Sequence, residues 1–426
     1  MREKTSWTKK QKYIFLSLFP VYFIIVGLLL QPLGEIGAGL VRIIKEPDFL
    51  ITDYFLVGGP GAALINGGIL ALLCIGILYC LGKDMSGHTV TSVCLMFGFS
   101  LFGKNLLNIW TIMLGVFLYA KYHRTSLSQY IYVAFYGTCL SPIITQLMHI
   151  GHLPVAGRLL LSLLTGAAIG FVLPPLSTHI HDAHKGYSLY NVGFAAGIIA
   201  TVVVSLFKSF GVAVESRLIW SEGNNRPFVL VLCLLFSGMI FIAFAHRGRK
   251  AWEGYLNILK SYGVSGTDFE KEDGSAATLL NMGVNGIFST LLVVVLGGDL
   301  NGPTIGGIFT IVGFGATGKH IRNIFPIMLG VCLGGVTKQW KIDDPGPILA
   351  LLFSTTLAPI AGEFGVIMGI LAGFLHSSVA LNVGILYGGM NLYNNGFAGG
   401  LLAAFMVPVI QSVRDRIARA REGTSL

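Results

Sequence analysis

Long apolar runs separated by short polar stretches divide the whole chain. Most of these runs reach about 20 residues, the length that an α-helix needs to cross the hydrocarbon core of a bilayer. The pattern therefore predicts an all-α, polytopic membrane protein. In the first part of the chain the predicted spans cover 12–32, 59–82, 88–102, 104–121, 127–150, 155–177 and 189–210.

A second series of apolar runs repeats the first in the same order. Lys104 and Lys319 differ by 215 positions, and Asn66 and Asn281 differ by the same 215 positions. In membrane proteins, repeats of this size are the halves of transporters and channels. We expect a first membrane repeat over 1–224 and a second over 225–426. The second series of predicted spans covers 227–245, 275–298, 304–317, 319–336, 346–361, 364–386 and 392–412.

The third and fourth runs of each series are interrupted by a Gly-Lys pair. The run over 88–102 is too short to span a bilayer, and Gly103 offers a break, so we predict a re-entrant helical hairpin in each repeat. A cation in an apolar run is costly in a bilayer and is a functional hypothesis by default. The alternative is a lysine that lies near the membrane edge and extends its ammonium group to the interface.

An asparagine follows each of these lysines four positions later. If the second helix of each hairpin begins at the lysine, Lys104 and Asn108 share one helix face, as do Lys319 and Asn323. A helix start near the bilayer midplane presents unpaired N–H groups and the positive end of the helix dipole. This arrangement predicts binding of an anion or of a carbonyl-like oxygen.

Other matched amides are further candidates for solute binding. Asn191 and Asn394 follow tyrosines at the start of the last predicted span of each repeat, and Asn66 and Asn281 lie in the middle of a span. The structural alternative is that these amides cap helices or join them, while the tyrosines lie in the interfacial aromatic belt. We interpret the matched acids Asp53 and Asp268 as mainly structural, because an acid near a helix start is favoured anyway.

Charge distribution predicts how the repeats are oriented. Basic residues precede the first span, follow the span over 227–245 and fill the C-terminal tail, which predicts cytoplasmic N- and C-termini. Equivalent spans then cross in opposite directions, so the two repeats have inverted topology, each with about five transmembrane helices and one re-entrant hairpin. The formal charge of +9 is explained by these loops, so we expect no nucleic-acid partner. The six cysteines stand singly and indicate neither disulfides nor metal ligands.

Features without a counterpart in the other repeat are weaker candidates. His179, His181 and His184 have the spacing of metal ligands but fall in a predicted cytoplasmic loop, where a solvated cluster is the alternative. Glu363 and His376 can each carry a proton, but the favoured explanation is structural, as a loop-edge acid or a polar residue that packs between helices. Hydrolase and nucleotide-binding motifs are absent from the sequence. We therefore expect no catalytic residue, no metal and no cofactor.

The duplicated Gly-Lys-x-x-x-Asn-Ile and Tyr-Asn-x-Gly-Phe-Ala motifs carry a resemblance to a known family. At these motifs the chain resembles an uncharacterised bacterial family of integral membrane proteins with a tandem-repeated domain of unknown function. Its general plan is also similar to that of the urea transporters, which have inverted halves of five spans and a re-entrant segment. The resemblance implies a bacterial plasma-membrane location but carries over no site residues.

The sequence as a whole predicts a transporter or channel for a small polar, more specifically anionic, solute, and not an enzyme. The partners expected are that solute and the lipid bilayer, and a homo-oligomer is compatible with the sequence. Two alternatives remain: a membrane-embedded metal-dependent enzyme that uses His179 to His184, and a scaffold subunit in which the lysines pair with buried acids or lipid phosphates.

Overall fold

The computed structural model describes residues 7–150, 153–212, 214 and 216–421, and this part of the chain is predominantly helical. The helices of the first repeat are α1 Lys9–Leu30, α2 Leu33–Lys45, α3 Tyr54–Gly58, α4 Pro60–Cys80, α5 Gly87–Phe99, α6 Trp110–Tyr122, α7 Ile131–Gly137, α8 Ser141–Met148, α9 Val155–His184 and α10 Asn191–Ser209.

The second repeat follows the same sequence of elements. Its helices are α11 Asn225–Arg247, α12 Arg249–Ile258, α13 Phe269–Glu272, α14 Ser275–Val295, α15 Gly302–Phe314, α16 Ile321–Thr337, α17 Pro345–Phe353, α18 Ala358–Phe364, α19 Val366–Val383 and α20 Asn394–Arg421. Two short strands, β1 Ile51–Thr52 and β2 Leu218–Ile219, form a parallel pair.

Within the described residues, ten helices are long and apolar enough to cross a membrane. This confirms the prediction of a polytopic, helical integral membrane protein. Two predicted spans are discontinuous, because a turn of 3₁₀-helix joins α7 to α8 and another joins α17 to α18. Pro142 and Pro359 lie at the helix starts that follow these turns, where a missing backbone N–H costs little. All six cysteines are free, as the sequence indicated.

One prediction about local structure was wrong. The segment from His179 to His184 is not a loop, because α9 continues through it as far as His184. The amphipathic helix α2 was not predicted, since its 13 residues are too few to cross a bilayer. It packs its buried residues, among them Ile43, against α3 and α4.

Helices α5 and α15, both 13 residues long, pack against each other in antiparallel orientation at the centre of the protein. Their glycines make the close approach feasible: a Cβ atom on Gly98 would lie 3.0 Å from the Cα atom of Gly306. At the other end of the pair, Thr91 donates a hydrogen bond of 2.8 Å to the carbonyl oxygen of Gly313. Both helices are buried on every side, which explains why their sequences are apolar all round.

The starts of these two central helices are capped by acids from the other repeat. The backbone N–H of Gly302 donates to Asp53 at 3.1 Å, and the N–H of Gly87 donates to Asp268 at 2.8 Å. The carboxylates thereby satisfy N–H groups that have no partner inside the helix, and they complement the positive end of its dipole. These contacts agree with the structural interpretation of Asp53 and Asp268, and each acid caps a helix of the other repeat.

Three basic segments of the chain lie at one end of the helix bundle. The rings of Trp7 and His246 lie 5.5 Å apart, and Lys12 forms an ion pair of 3.2 Å with Glu270. Arg414 of the C-terminal helix pairs with Glu363 at 3.5 Å. The residue before Glu363, Gly362, lies against Tyr262 in the segment that follows α11 and α12. The start of α1, the end of α11 and the C-terminal part of α20 therefore share one end of the structure, in agreement with the charge distribution.

Candidate functional site

The connections that interrupt each central pair of helices carry the two lysines. Helix α5 ends at Phe99 and α6 begins only at Trp110, whereas α15 ends at Phe314 and α16 begins at Ile321. Both lysines thus lie in non-helical backbone just after a glycine with positive φ, +154° at Gly103 and +132° at Gly318. An L side chain rarely adopts such a conformation, so glycine is needed at these two turns. The prediction that a helix begins at each lysine was wrong.

Lys104 is enclosed by aromatic rings and neutral acceptors. Its ammonium group donates to the carbonyl oxygen of Phe135 at 3.3 Å and to the hydroxyl oxygen of Tyr393 at 3.4 Å. The same nitrogen lies 5.1 Å from the ring centroid of Tyr393 and 5.4 Å from that of Phe99. These distances allow favourable cation–π interactions, which gain strength where water is excluded.

Lys319 has the equivalent environment in the second repeat, with closer contacts. Its ammonium group donates to the hydroxyl oxygen of Tyr190 and, at 2.7 Å, to Oγ1 of Thr355. Its nitrogen lies 4.4 Å from the ring centroid of Tyr190 and 5.1 Å from that of Phe314. The two lysines are thus held by equivalent groups: a phenylalanine from the same repeat and a tyrosine from the other one.

Neither lysine has an acidic partner among the described residues, although each has no exposed surface. Removing an ammonium group from water without a counter-ion costs several kcal/mol. Hydroxyl and carbonyl dipoles and aromatic faces compensate part of that cost. Both lysines are therefore buried without a counter-ion among the described residues and are held by neutral dipoles and aromatic rings.

Asn66 and Asn281 tie together the two sides of each interrupted helix. The side-chain amide of Asn66 donates to the carbonyl oxygens of Ser100 at 2.7 Å and Lys104 at 2.9 Å. Asn281 does the same for Gly315 at 2.7 Å and Lys319 at 2.8 Å. The two side-chain oxygens of these amides are buried and accept no hydrogen bond from the described residues. Each asparagine thus fixes the backbone at a lysine and leaves one acceptor available.

Asn108 and Asn323 close the turns that follow the lysines instead of pointing with them into one site. The Nδ2 atom of Asn108 donates to the carbonyl oxygen of Gly103 at 3.0 Å, and that of Asn323 donates to Gly318 at 2.8 Å. The Oδ1 atom of Asn323 accepts from the backbone N–H of His320 at 3.0 Å. The expectation that a lysine and an asparagine share one helix face was wrong, because Asn108 lies in a turn before α6 and Lys319 lies outside α16, in whose first turn Asn323 lies.

Asn191 and Asn394 join the last helix of each repeat to the helix before it. Their side-chain amides donate at 2.8 Å to the carbonyl oxygens of Ser177 and Ala380, respectively. The Oδ1 atom of Asn191 takes part in a hydrogen bond of 2.9 Å with Nε2 of His184. These contacts agree with the helix-joining alternative for the two asparagines, and neither amide is bonded to a lysine in the described structure.

Tyr190 and Tyr393 are the site residues that the sequence analysis did not select. Their side chains are buried inside the protein, not in an interfacial belt. Each repeat contains a Tyr directly before the matched Asn, so the signal was present as a duplicated aromatic residue. What the sequence alone did not indicate was the exchange, in which the tyrosine of one repeat contacts the lysine of the other.

The remaining candidates lie away from the two lysines. Glu363 accepts a hydrogen bond of 2.5 Å from the hydroxyl group of Tyr187, and His376 is buried with Nε2 at 3.3 Å from the carbonyl oxygen of Asn395. Within the described part of the chain, no three His, Cys, Asp or Glu side chains are close enough to hold a metal ion. The predicted metal-dependent alternative therefore has no ligand set there, and His184 is already bonded to Asn191.

An open groove of about 720 Å³ also lies apart from the lysines. It runs between α1, α11 and α14, and its inner end reaches Phe309 of α15. Neither Lys104 nor Lys319 lines it. The lysine site is thus closed in this conformation and is not connected to the groove by its lining residues.

A comparison with known families identifies a domain that covers most of the chain. A family model described as a protein of unknown function (DUF1576) matches residues 33–209 and 248–412. The two matched segments correspond to the two repeats, which agrees with the predicted tandem-repeated domain of unknown function. No curated protein and no solved structure matches the chain significantly.

Proposed function

The chain belongs to the DUF1576 family, whose function is unknown, and we propose that it is a membrane carrier for a small anionic solute. The solute binds between Lys104 and Lys319, which supply its counter-charges. The observation that carries the proposal is the matched pair of buried ammonium groups with no acid partner among the described residues. Transport requires no chemical reaction, so the proposal includes no catalytic residue.

Two repeats of inverted topology with re-entrant hairpins form the framework of this proposal. Helices α5 and α15 occupy equivalent positions in the two repeats and pack antiparallel. Repeats related by an axis along the membrane normal would place equivalent helices parallel, so the antiparallel packing supports inverted repeats. The direct contact between Gly193 of α10 and Gly396 of α20 is also expected at a two-fold axis. A Cβ atom on either glycine would approach the Cα atom of the other to about 3 Å. Both lysines then flank that axis.

An anion is the favoured solute class because the hydrogen-bond donors proposed to flank the two-fold axis are the ammonium groups of the two lysines. Two ammonium groups offer charge-assisted hydrogen bonds, which are roughly twice as strong as neutral ones. An anion would also relieve the cost of two buried, unpaired cations. The side-chain oxygens of Asn66 and Asn281 add acceptors near the lysine backbone, so a solute with its own N–H or O–H donor is compatible.

The enclosure of both lysines favours a carrier over a permanently open pore. Each side chain has no exposed surface, so a solute reaches it only after neighbouring elements move apart. Helices broken near a midplane site, as at 100–109 and 315–320, are typical of carriers that expose one site alternately to the two sides. A scaffold subunit would need no such motion, so the motion distinguishes a carrier from a scaffold.

Flux measurements with purified protein in liposomes test the proposal. We expect uptake of at least one member of a panel of inorganic anions, monocarboxylates and dicarboxylates. Lys104→Met and Lys319→Met should each reduce that uptake more than tenfold, whereas Lys208→Met, which removes an exposed lysine of α10, should leave it unchanged. Uptake that both buried-site variants retain in full would reject the mechanism. Protein that folds but moves no solute would favour the scaffold.

A further inference from the structure

One buried acid breaks the equivalence of the two repeats. Asp48 has no exposed surface, and the position that matches it 215 residues later is Gly263. A Cβ atom on Gly263 would lie 2.0 Å from the carbonyl oxygen of Gly318 and 2.8 Å from Nδ2 of Asn323. The second repeat therefore has no room for an acid at this position, and only the first repeat contains one.

Asp48 is bonded to the turn that carries Lys104. Its Oδ2 atom accepts from Nδ2 of Asn108 at 3.0 Å, and the same Nδ2 atom donates to the carbonyl oxygen of Gly103 at 3.0 Å. Gly103 directly precedes Lys104. One asparagine amide thus connects the acid to the backbone of the candidate solute site, through two hydrogen bonds.

The second partner of Asp48 is also particular to the first repeat. The hydroxyl group of Tyr54 donates to Oδ1 of Asp48 at 2.7 Å, and the residue that matches Tyr54 is Phe269, which has no hydroxyl group. Acid and hydroxyl group are therefore present together in one repeat and absent together from the other. Asp48, Tyr54 and Asn108 thus form a polar cluster at the Lys104 turn that the second repeat does not reproduce at its Lys319 turn.

The charged and titratable groups around Asp48 do not neutralise it. On its own segment Glu46 lies two residues away and pairs with Arg217 at 2.7 Å, while Lys45 offers only its carbonyl oxygen to His149. From α8 the partner is Thr145, whose Oγ1 accepts from the backbone N–H of Asp48 at 3.1 Å. Tyr54 is the titratable group from α3. Burial raises the pKa of the Asp48 carboxyl group well above its usual value, although the hydrogen bonds from Tyr54 and Asn108 oppose the shift.

We propose that Asp48 is the proton-binding site that couples solute movement at Lys104 to a proton gradient. This inference rests on the proposed carrier function. A proton from the aqueous phase adds to one carboxylate oxygen, and the neutral acid accepts more weakly from Asn108. The hold of Asn108 on the turn at Gly103 then loosens, so the conformation around Lys104 depends on whether Asp48 is protonated. Because the second repeat contains no such acid, protonation acts on one hairpin only.

Transport in liposomes under an imposed pH difference tests the coupling. For wild-type protein we expect the initial uptake rate to differ at least fivefold between the two directions of the pH difference. Asp48→Asn should bring this ratio close to one. Asp84→Asn, which changes an acid whose side chain is 91% exposed, should keep the wild-type ratio. A full response to the pH difference in Asp48→Asn would overturn the proposal.

Infrared spectroscopy separates a failure of coupling from a failure of transport. Difference spectra between acidic and alkaline pH should contain the carbonyl band of a buried protonated carboxyl group, which Asp48→Asn removes and Asp84→Asn retains. If no Asp48-dependent band exists at any pH, the proton site is refuted, whatever the flux. If the wild-type protein moves no solute at all, the carrier function is refuted, and the coupling with it. Asp48→Glu keeps an acid at this position and should keep the band.

Discussion

The ammonium group of Lys319 donates a hydrogen bond to the hydroxyl group of Tyr190, which lies 129 positions earlier in the other sequence repeat. Lys104 makes the reciprocal contact with Tyr393, 289 positions later. Each repeat thus supplies the aromatic partner for the cation of the other. This exchange makes the centre of the protein dependent on both repeats at once, because neither repeat alone contains a complete lysine environment.

The first prediction concerns the energetic link between Lys319 and Tyr190. Tyr190→Phe removes the hydroxyl acceptor but keeps the ring, so it should destabilise the protein by about 1–3 kcal/mol through the under-satisfied ammonium group. Tyr393→Phe should cost less, because the contact of Tyr393 with Lys104 is longer, at 3.4 Å. Thermal unfolding of the purified variants in detergent measures both effects.

A double-mutant cycle supplies the control for this pair. The double variant Lys319→Met, Tyr190→Phe should be less destabilised than the sum of the two single variants predicts. Either substitution alone already removes the hydrogen bond between the two side chains, so the second one cannot remove it again. Lys319→Met combined with Tyr393→Phe changes residues that are not bonded to each other, so it should be close to additive. Equal coupling in both cycles would contradict the contact seen in the structure.

The second prediction concerns Asn66 as the tie across the interrupted helix. Asn66→Leu keeps the size of the side chain but leaves the carbonyl oxygens of Ser100 and Lys104 without their donor. Buried acceptors that lose their partner cost about 1–3 kcal/mol each, so we expect a loss of roughly 2–5 kcal/mol of stability. Asn281→Leu should cost less, because the carbonyl oxygen of Lys319 also accepts from Nδ2 of Asn285 at 3.2 Å. Unfolding by a denaturing detergent, followed by tryptophan fluorescence, measures the change.

Asn382 offers a matched control for these amides. Its side chain also donates to a backbone carbonyl oxygen, that of Ser378 at 2.7 Å, but the contact is exposed and lies within one helix. Asn382→Leu should therefore change stability by less than about 0.5 kcal/mol. If Asn66→Leu is equally mild, the two hydrogen bonds of Asn66 do not hold the interrupted helix together.

The fold was largely predictable from sequence because membrane-spanning helices depend on length and apolarity, both of which are local properties. The positions of Lys104 and Lys319 were likewise visible, since a cation between apolar runs stands out and occurs twice. Helix boundaries near them were not, because α6 begins only at Trp110 even though the preceding residues are compatible with a helix. There the tertiary hydrogen bonds of Asn66 and Asn108 determine the backbone conformation.

Contacts between the repeats could not be predicted from the sequence, because they depend on the packing of distant helices. Side chains such as Asp53 and Tyr190 have several plausible local roles, as a helix cap or an interfacial aromatic residue, and local patterns do not choose among them. The choice is made by which helix packs beside them, here α15, and that depends on the closure of the whole bundle. No local pattern marks Asp48 as a functional residue, because what distinguishes it is the absence of an acid at the matching position, Gly263.

The third prediction concerns Asp53 and the pH dependence of stability. Burial raises the pKa of this carboxyl group to about 6, although hydrogen bonds from Ser221, Phe55 and Gly302 oppose the shift. The folded state then binds the proton more tightly than the unfolded state, whose pKa is near 3.8. The contribution of Asp53 to stability should fall by about 3 kcal/mol as pH rises from about 4 to about 6, and stay constant above.

Asp53→Asn cannot titrate and should remove this part of the pH dependence. The melting temperature of the variant should therefore change less between pH 4 and pH 7 than that of the wild type. Asp84→Asn provides the comparison, because its side chain is 91% exposed and it should follow the wild-type curve. A variant curve parallel to that of the wild type would mean that Asp53 has the same proton affinity in both states.

The fourth prediction concerns inverted topology, which determines where each repeat begins. Lys10 lies in the first turn of α1 and Glu222 shortly before α11, so inversion requires these corresponding helix starts to lie on opposite sides of the membrane. In a background without the six native cysteines, Lys10→Cys should react with an impermeant maleimide only from the cytoplasmic side. Glu222→Cys should react only from the other side. The next residue, Gly223, donates to Asp299 in the loop after α14, and that loop lies at the opposite end of the bundle.

Further single-cysteine positions make this labelling pattern decisive. Arg249→Cys and Arg416→Cys should follow Lys10→Cys, since the segments after α11 and at the end of α20 share its end of the structure. Asp343→Cys should follow Glu222→Cys, because Asp343 packs beside Gly297 in the loop that also contains Asp299. If Lys10→Cys and Glu222→Cys reacted from the same side, the repeats would be parallel. Lys104 and Lys319 would then not be related by a two-fold axis in the membrane plane, and the two-lysine solute site would lose its symmetry.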